Sequence, residues 1–335
     1  MSKTIAEVIA GGMSPNGLEV MIKDADLKTT KDKKHYVSGV LTDNTGVIYF
    51  TVWDSGEIQD TMKQAGAAVI ISEADFSLYK EKPQLTIRRA SSIPLERAAA
   101  SGIIPSSPIS KKTLMDDFEK IVDMIVKVSN NSGFEKITDV LEQNADGFMD
   151  KFVQIPGAKG MHHAYLRGLL EHSVQVARLA FNAATVYSNY PSYNKIDKAL
   201  LLTGALWHDI GKLDEYDLGP SGLVKRYSLA GGLATHMVIG AERLHKMYSG
   251  ILSEHKLLQL KHIALSHHGN MEWGAVMEPA TFEAYLVHHA DMIDSGRGLF
   301  LESNSSSAEL WDKPYGRGRI LNPNFVFDDK TSIRL

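Results

Sequence analysis

His208 and Asp209 stand side by side at the end of an apolar run, residues 199–207, and Ile210-Gly211-Lys212 follows at once. A His-Asp pair alone says little, because a chain with 13 histidines in 335 residues produces about one by chance. The setting makes this one informative. An imidazole and a carboxylate taken out of water at the end of a core helix are costly unless paired or bound to a cation, and a divalent ion is the economical partner. Further candidates sit in other apolar contexts: His172 after Leu169-Leu170-Glu171, His236 before Met237, His267 and His268 before Gly269, and Asp291 after Ala290. Helical bundles build metal sites in this manner, each facing helix contributing one or two ligands. With no cysteine in the chain, only imidazole and carboxylate groups are available. Of the two adjacent histidines, His267 is preferred as ligand, which leaves His268 to contact substrate or a carboxylate beside the ligands. Lys212 is placed to offset phosphate charge as a point charge. His162 and His163 are expected to face a substrate phosphate or to cap a helix, whereas His245, His255 and His262 fall on polar helix faces and read as surface residues.

These residues need elements to hold them. All the histidines except His35 lie beyond residue 160, so the chemistry belongs to the second half. From residue 111 onward Leu114, Phe118, Ile121, Ile125 and Val128 recur at helical spacing, and further helices are expected over 167–187, 196–209, 233–248, 254–267 and 280–294. No strand is expected there before the chain end. The first 90 residues read differently, as strands over 18–22, 36–41, 47–53, 67–72 and 84–88 with a short helix over 56–64. The turn Asp43-Asn44-Thr45-Gly46 is a hairpin signal. Five strands with a helix after the third match an OB-fold barrel, which binds oligonucleotides. Tyr36, Tyr49, Phe50 or Trp53 would stack bases, with Lys28, Lys31, Lys33 and Lys34 on a nearby loop, although strand alternation must turn half of those aromatics inward. The fold class is thus multidomain: an all-β OB-fold barrel (1–90), an extended connector (91–110) inferred from its Ala, Ser, Gly and Pro content, an all-α bundle (111–302) and a tail (303–335) opening on a serine-rich loop.

The order His, His-Asp, His, His, Asp resembles the HD superfamily of metal-dependent phosphohydrolases. That resemblance implies two ions, the first held by His172, His208, Asp209 and Asp291, the second sharing Asp209 and held also by His236 and His267. Manganese leads the expected metals, with iron, magnesium, zinc and cobalt also compatible with such ligands. The segments Gly168-Leu169-Leu170-Glu171-His172, Trp207-His208-Asp209-Ile210-Gly211-Lys212, and Ser266-His267-His268-Gly269 with Glu272-Trp273-Gly274, all behind an OB-like domain, resemble the YhaM family of bacterial 3′-to-5′ exoribonucleases across nearly the whole chain. Arg167 departs from the small residue expected there and, with His163, is assigned to substrate contact. The resemblance implies removal of nucleoside 5′-monophosphates from the 3′ end of single-stranded RNA or DNA, with Asp209, Lys212 and His268 as the catalytic group. Two rivals stand beside it: an HD nucleotide phosphohydrolase or other phosphodiesterase, and a non-catalytic nucleic-acid-binding adaptor.

Composition narrows the setting. With 44% apolar and 23% charged residues the chain reads as an ordinary globular protein, and no stretch approaches the roughly 18 apolar residues that span a bilayer. The run 5–13 is broken by Glu7 and lacks a basic leader, so it does not read as a signal peptide, and the cytoplasm is the expected location. A net charge of -4 supplies no global pull on nucleic acid, so any binding needs local patches. Assembly into oligomers is left open.

Overall fold

The computed structural model describes residues 3–53, 56–160, 162–188, 190, 195–301, 311–312 and 320–321. After a short helix α1 (Ile5–Gly11) the chain enters β1 (Leu18–Thr29), β2 (His35–Asp43) and β3 (Gly46–Val52), then α2 (Glu57–Met62), β4 (Ala68–Tyr79) and β5 (Lys82–Ser92). These five strands close a barrel in the order β1-β2-β3-β5-β4, with β3 and β5 parallel and the other pairs antiparallel, the topology of an OB fold. Alternation decides which side chains fill it: Ile48, Phe50 and Val52 of β3 are buried, while Tyr49 and Trp53 face out. Phe50 is therefore core and unavailable for stacking. Gly39 on β2 is required by close approach, since a Cβ there would lie 1.9 Å from the carbonyl oxygen of Asp24. β4 and β5 run much further than the sequence pattern indicates and meet in a tight turn at Lys80 and Glu81, both with positive φ.

The helical part comprises α4 (Lys111–Val128), α5 (Ile137–Gln143), α6 (Phe148–Gln154), α7 (Gly168–Ser188), α8 (Lys198–Trp207), α9 (Lys212–Glu215), α10 (Leu229–Leu233), α11 (His236–Tyr248), α12 (Glu254–Ser266) and α13 (Phe282–Leu301). α8 is apolar all round and buried from Ala199 to Trp207, so the other helices wrap it. Trp207 anchors the core: Phe118, Phe148 and Phe152 pack edge-on against its ring at 5.2–6.0 Å, and its indole N–H donates to the Tyr248 hydroxyl at 3.0 Å.

Three expectations are corrected here. The segment 91–110 is no extended connector: α3 (Leu95–Ala100) forms within it, and its Ile93, Ala98, Ala99 and Ile104 pack with Ala68 of the barrel and Leu166 of the helical part. Small alanines that suggested slack instead allow a close helix contact. A β-hairpin, β6 (Tyr216–Leu218) and β7 (Val224–Tyr227), interrupts the helices, and its turn residues Pro220 and Ser221 come within 3.5–3.6 Å of where a Cβ on Gly66 of the barrel would sit. His262 is buried, with Nε2 accepting the N–H of Ala280 at 2.8 Å, rather than exposed; His245 and His255 are exposed as expected. Two-residue strands β8 (Trp311–Asp312) and β9 (Ile320–Leu321) pair near the chain end, and the serine-rich loop lies outside the described residues. Among the described residues no helix is long and apolar enough to cross a membrane.

Candidate active site

Five histidines approach one point from different elements, and each has its Nδ1 already committed. His172, in the second turn of α7, donates Nδ1–H to Asp294 at 2.8 Å. His208 and His267, at the C-terminal ends of α8 and α12, donate to the carbonyls of Ala205 and Ala264, both at 2.8 Å. His236, the first residue of α11, donates to Glu215 at 3.0 Å, and His268 donates to the carbonyl of Trp273 at 3.1 Å. A carbonyl or carboxylate accepts only from N–H, so the hydrogen bond at Nδ1 leaves a lone pair on each neutral Nε2. The helix ends supply this geometry because their last carbonyls lack intrahelical partners. Gly211 lets α11 approach: a Cβ there would lie 1.9 Å from the His236 carbonyl oxygen.

Those lone pairs converge on carboxylates. Nε2 of His172 lies 3.1 Å from Nε2 of His208, 3.3 Å from Asp291 and 3.5 Å from Asp209, and His208 is also 3.5 Å from Asp209. On the other side of Asp209, its Oδ1 faces Nε2 of His236 at 3.4 Å and of His267 at 3.5 Å. Asp209 Oδ1, His236 Nε2 and His267 Nε2 are all buried with no hydrogen-bond partner. Lone pairs facing lone pairs in a dry site repel unless a cation sits between them, so this set fits divalent metal. The groupings His172-His208-Asp291, His208-Asp209-His267 and His236-His267-His268 each gather three such atoms within 4.8 Å.

The charges respond accordingly. Burial opposes ionisation of Asp209, yet Lys212 and His208 hold its carboxyl well below the usual range. Burial also opposes the charge on His172, but Asp291 and Asp294 push it up to about 10, so without a cation a proton on Nε2 takes the place beside these carboxylates that a metal ion would fill. Burial pulls His267 down to about 3 and His162 to about 4. Lys212 is not a solvated helix-end lysine: its ammonium donates to Asp209 at 2.6 Å and to the Gly157 carbonyl at 2.7 Å.

The site opens into a cavity of about 450 Å³ lined by Asp209, Lys212, His267, His268 and Asp291 among others. His163 also borders it, but Asp294 at 2.7 Å and Tyr165 at 3.0 Å engage both its ring nitrogens, so it braces Asp294 and leaves no nitrogen for substrate. Arg167 is outside the cavity. It adopts a left-handed φ of 68° at the start of α7 and pairs with Glu96 of α3 at 3.5 Å, which ties the connector to the helical part. Asp294, Glu215 and Glu171 were not singled out from the sequence. Glu171 is fully buried and accepts from Ser107 at 2.6 Å, Tyr165 at 3.0 Å and Arg297 at 3.2 Å. Spacing offers one clue, since Asp294 lies one helical turn beyond Asp291.

A second concavity, about 870 Å³, lies on the barrel. Tyr36 and Trp53 stack there at 4.6 Å, beside Tyr49, Tyr79, Lys28, Lys80 and Lys82. Lys82 sits 5.4 Å over the Tyr49 ring. Lys31, Lys33 and Lys34 are exposed at the β1–β2 hairpin tip and do not line this groove.

An HD domain matches residues 169–296, the stretch that carries every histidine and carboxylate of this cluster. The 3′-5′ exoribonuclease YhaM of Listeria welshimeri is 30% identical over 314 residues, covering 92% of this chain and 95% of that protein. The chain belongs to the YhaM family. A further relative of the same name, from Bacillus pumilus, is 29% identical over 282 residues, covering 83% of this chain and 84% of its own. Similarity to YhaM proteins thus extends through both the barrel and the helical part.

Proposed function

We propose that the protein is a metal-dependent 3′-to-5′ exoribonuclease that shortens single-stranded RNA, and also single-stranded DNA, to nucleoside 5′-monophosphates in the cytoplasm. The observation that carries this reading is the convergence of unpartnered imidazole lone pairs on Asp209 beside a cavity of mononucleotide size, in a chain whose relatives are named 3′-5′ exoribonuclease YhaM. His172, His208, Asp209 and Asp291 would hold one ion, and Asp209, His236 and His267 a second, with His268 beside them facing the cavity. Manganese is the metal we assign, on the mixed imidazole and carboxylate set. Divalent ions at these positions supply Lewis-acid activation and neutralise charge at the phosphodiester.

The chain's own residues do the rest. Lys212 orients Asp209 and, with two of its three N–H groups committed to Asp209 and Gly157, has one left for a phosphate oxygen. Asp294 and Glu215 fix the ring orientations of His172 and His236. The Tyr36–Trp53 stack, Tyr49 and the lysines of the barrel groove would grip the strand upstream of the end being cut.

With manganese and 5′-labelled single-stranded RNA, the expected result is a ladder of fragments shortening from the 3′ end, with nucleoside 5′-monophosphates released. Asp209→Asn should lose at least about 10²-fold in rate while keeping the wild-type circular dichroism spectrum, because that carboxylate would serve both ions. Release of the 5′ label as a mononucleotide before shortened intermediates appear, or full activity in the variant, would overturn the reading.

A further inference from the structure

Part of the cavity lining carries no charge. Trp273 and Met292 line it beside the metal-ligand cluster, together with Ser295 and Gly296, and Trp273 remains 58% exposed. Single exposed aromatics are ordinary on protein surfaces. This one differs in how it is held. Trp273 ends the short turn Met271–Trp273, where its own N–H donates to the Asn270 carbonyl at 3.0 Å. The Asn270 side chain accepts from Glu272 at 2.9 Å, Gly274 closes the turn onto Met271 at 3.0 Å, and Val276 ties it to Leu265 of α12 at 3.1 Å. The Trp273 carbonyl takes the Nδ1–H of His268, so the residue that orients a histidine of the cluster also sets the indole at the rim. A large π-face on a pinned turn loses little entropy when something lies on it. α13 adds small residues to the same lining: a side chain added at Gly296 would meet nothing within 4 Å.

We infer that Trp273 is the platform for the base of the terminal nucleotide, whose phosphate is drawn to Lys212 and the cluster of histidines and aspartates. Charge on one side and an apolar plane on the other match the two ends of a nucleotide. The cavity, at about 450 Å³, suits one such unit. Because every base has a π-face, a stacking platform accepts all four, as stepwise removal from an arbitrary sequence requires. The inference rests on the reading that a strand end enters this cavity. Trp273 touches substrate and sets affinity without moving a proton.

The test compares adenosine 5′-monophosphate with ribose 5-phosphate, which lacks the base, by equilibrium titration of the manganese-loaded full-length protein. Stacking of about 1–3 kcal/mol corresponds to a preference of about 5- to 150-fold for the nucleotide in the wild type. Trp273→Ala should abolish that preference while leaving ribose 5-phosphate affinity unchanged, and Trp273→Phe should keep most of it. A wild-type preference that survives in Trp273→Ala, no preference in the wild type, or equal loss for both ligands would overturn the platform. The fate of labelled RNA is a separate measurement: a protein that shows the preference but leaves RNA intact would lose the exoribonuclease reading and keep the platform.

Discussion

Asp294 accepts from two buried histidines at once, His163 at 2.7 Å and His172 at 2.8 Å, and through His172 it reaches the cluster around Asp209, the proposed metal site, without belonging to it. Carboxylates in this position fix the tautomer and raise the basicity of the ring they hold. Removing one typically weakens metal binding by about 10- to 100-fold. Asp294→Asn should therefore show a metal affinity lower by that factor, read by titrating metal-free protein with manganese, and should recover most of its turnover at saturating manganese. Turnover that stays low at saturation would mean that Asp294 acts on the substrate directly. His172, His208, Asp209 and Asp291 could be proposed from residue order because His172 and the His208-Asp209 pair interrupt apolar stretches, where a polar group needs a reason, and Asp291 completes the order of the resembled family. Asp294 stands before Ser295-Gly296-Arg297, and nothing in residue order distinguishes it from a solvated helix carboxylate. His163 and Arg167 misled for the same reason: composition gives a side chain's chemistry but not which neighbour has already taken it.

At the scale of elements, β3 puts two predictions on one strand. Phe50 points into the barrel and Trp53 continues the outward face, stacked on Tyr36. Phe50→Ala should cost about 3–5 kcal/mol of stability, measured by chemical unfolding. Trp53→Ala should leave stability nearly unchanged and weaken single-strand binding by about 1–3 kcal/mol, measured by fluorescence anisotropy with a labelled oligonucleotide. Exchange of the two phenotypes would mean that the strand register is wrong. The existence of the barrel strands and of the long helices followed from period-2 and period-3.6 patterns. The phase of β3 did not, because apolar and aromatic residues occupy both of its faces. β6 and β7 are too short to establish any alternation, and α3 escaped notice because a run of alanines suits a linker and a helix equally well.

Across the whole molecule, barrel and helical part meet through α3, Leu166 and the β6–β7 turn, and Ser107 is tied to the fully buried Glu171. The connector is therefore a strut. A rigid spacing between the groove that would grip and the cavity that would cut is, under the proposed function, a ruler: once the strand no longer spanned from one to the other, the grip would be lost and digestion would slow. Under the proposed function, exhaustive digestion of unrelated single strands should leave remnants of one common length, seen as a single sharp band for 5′-labelled substrates of different sequence. Inserting a flexible Gly-Ser segment after Ser101 should broaden that band, and a band as sharp as the wild type's would show that the strut does not set the length. The alanines at 98–100, which look in the sequence like the softest stretch of the chain, would then be its unit of measure.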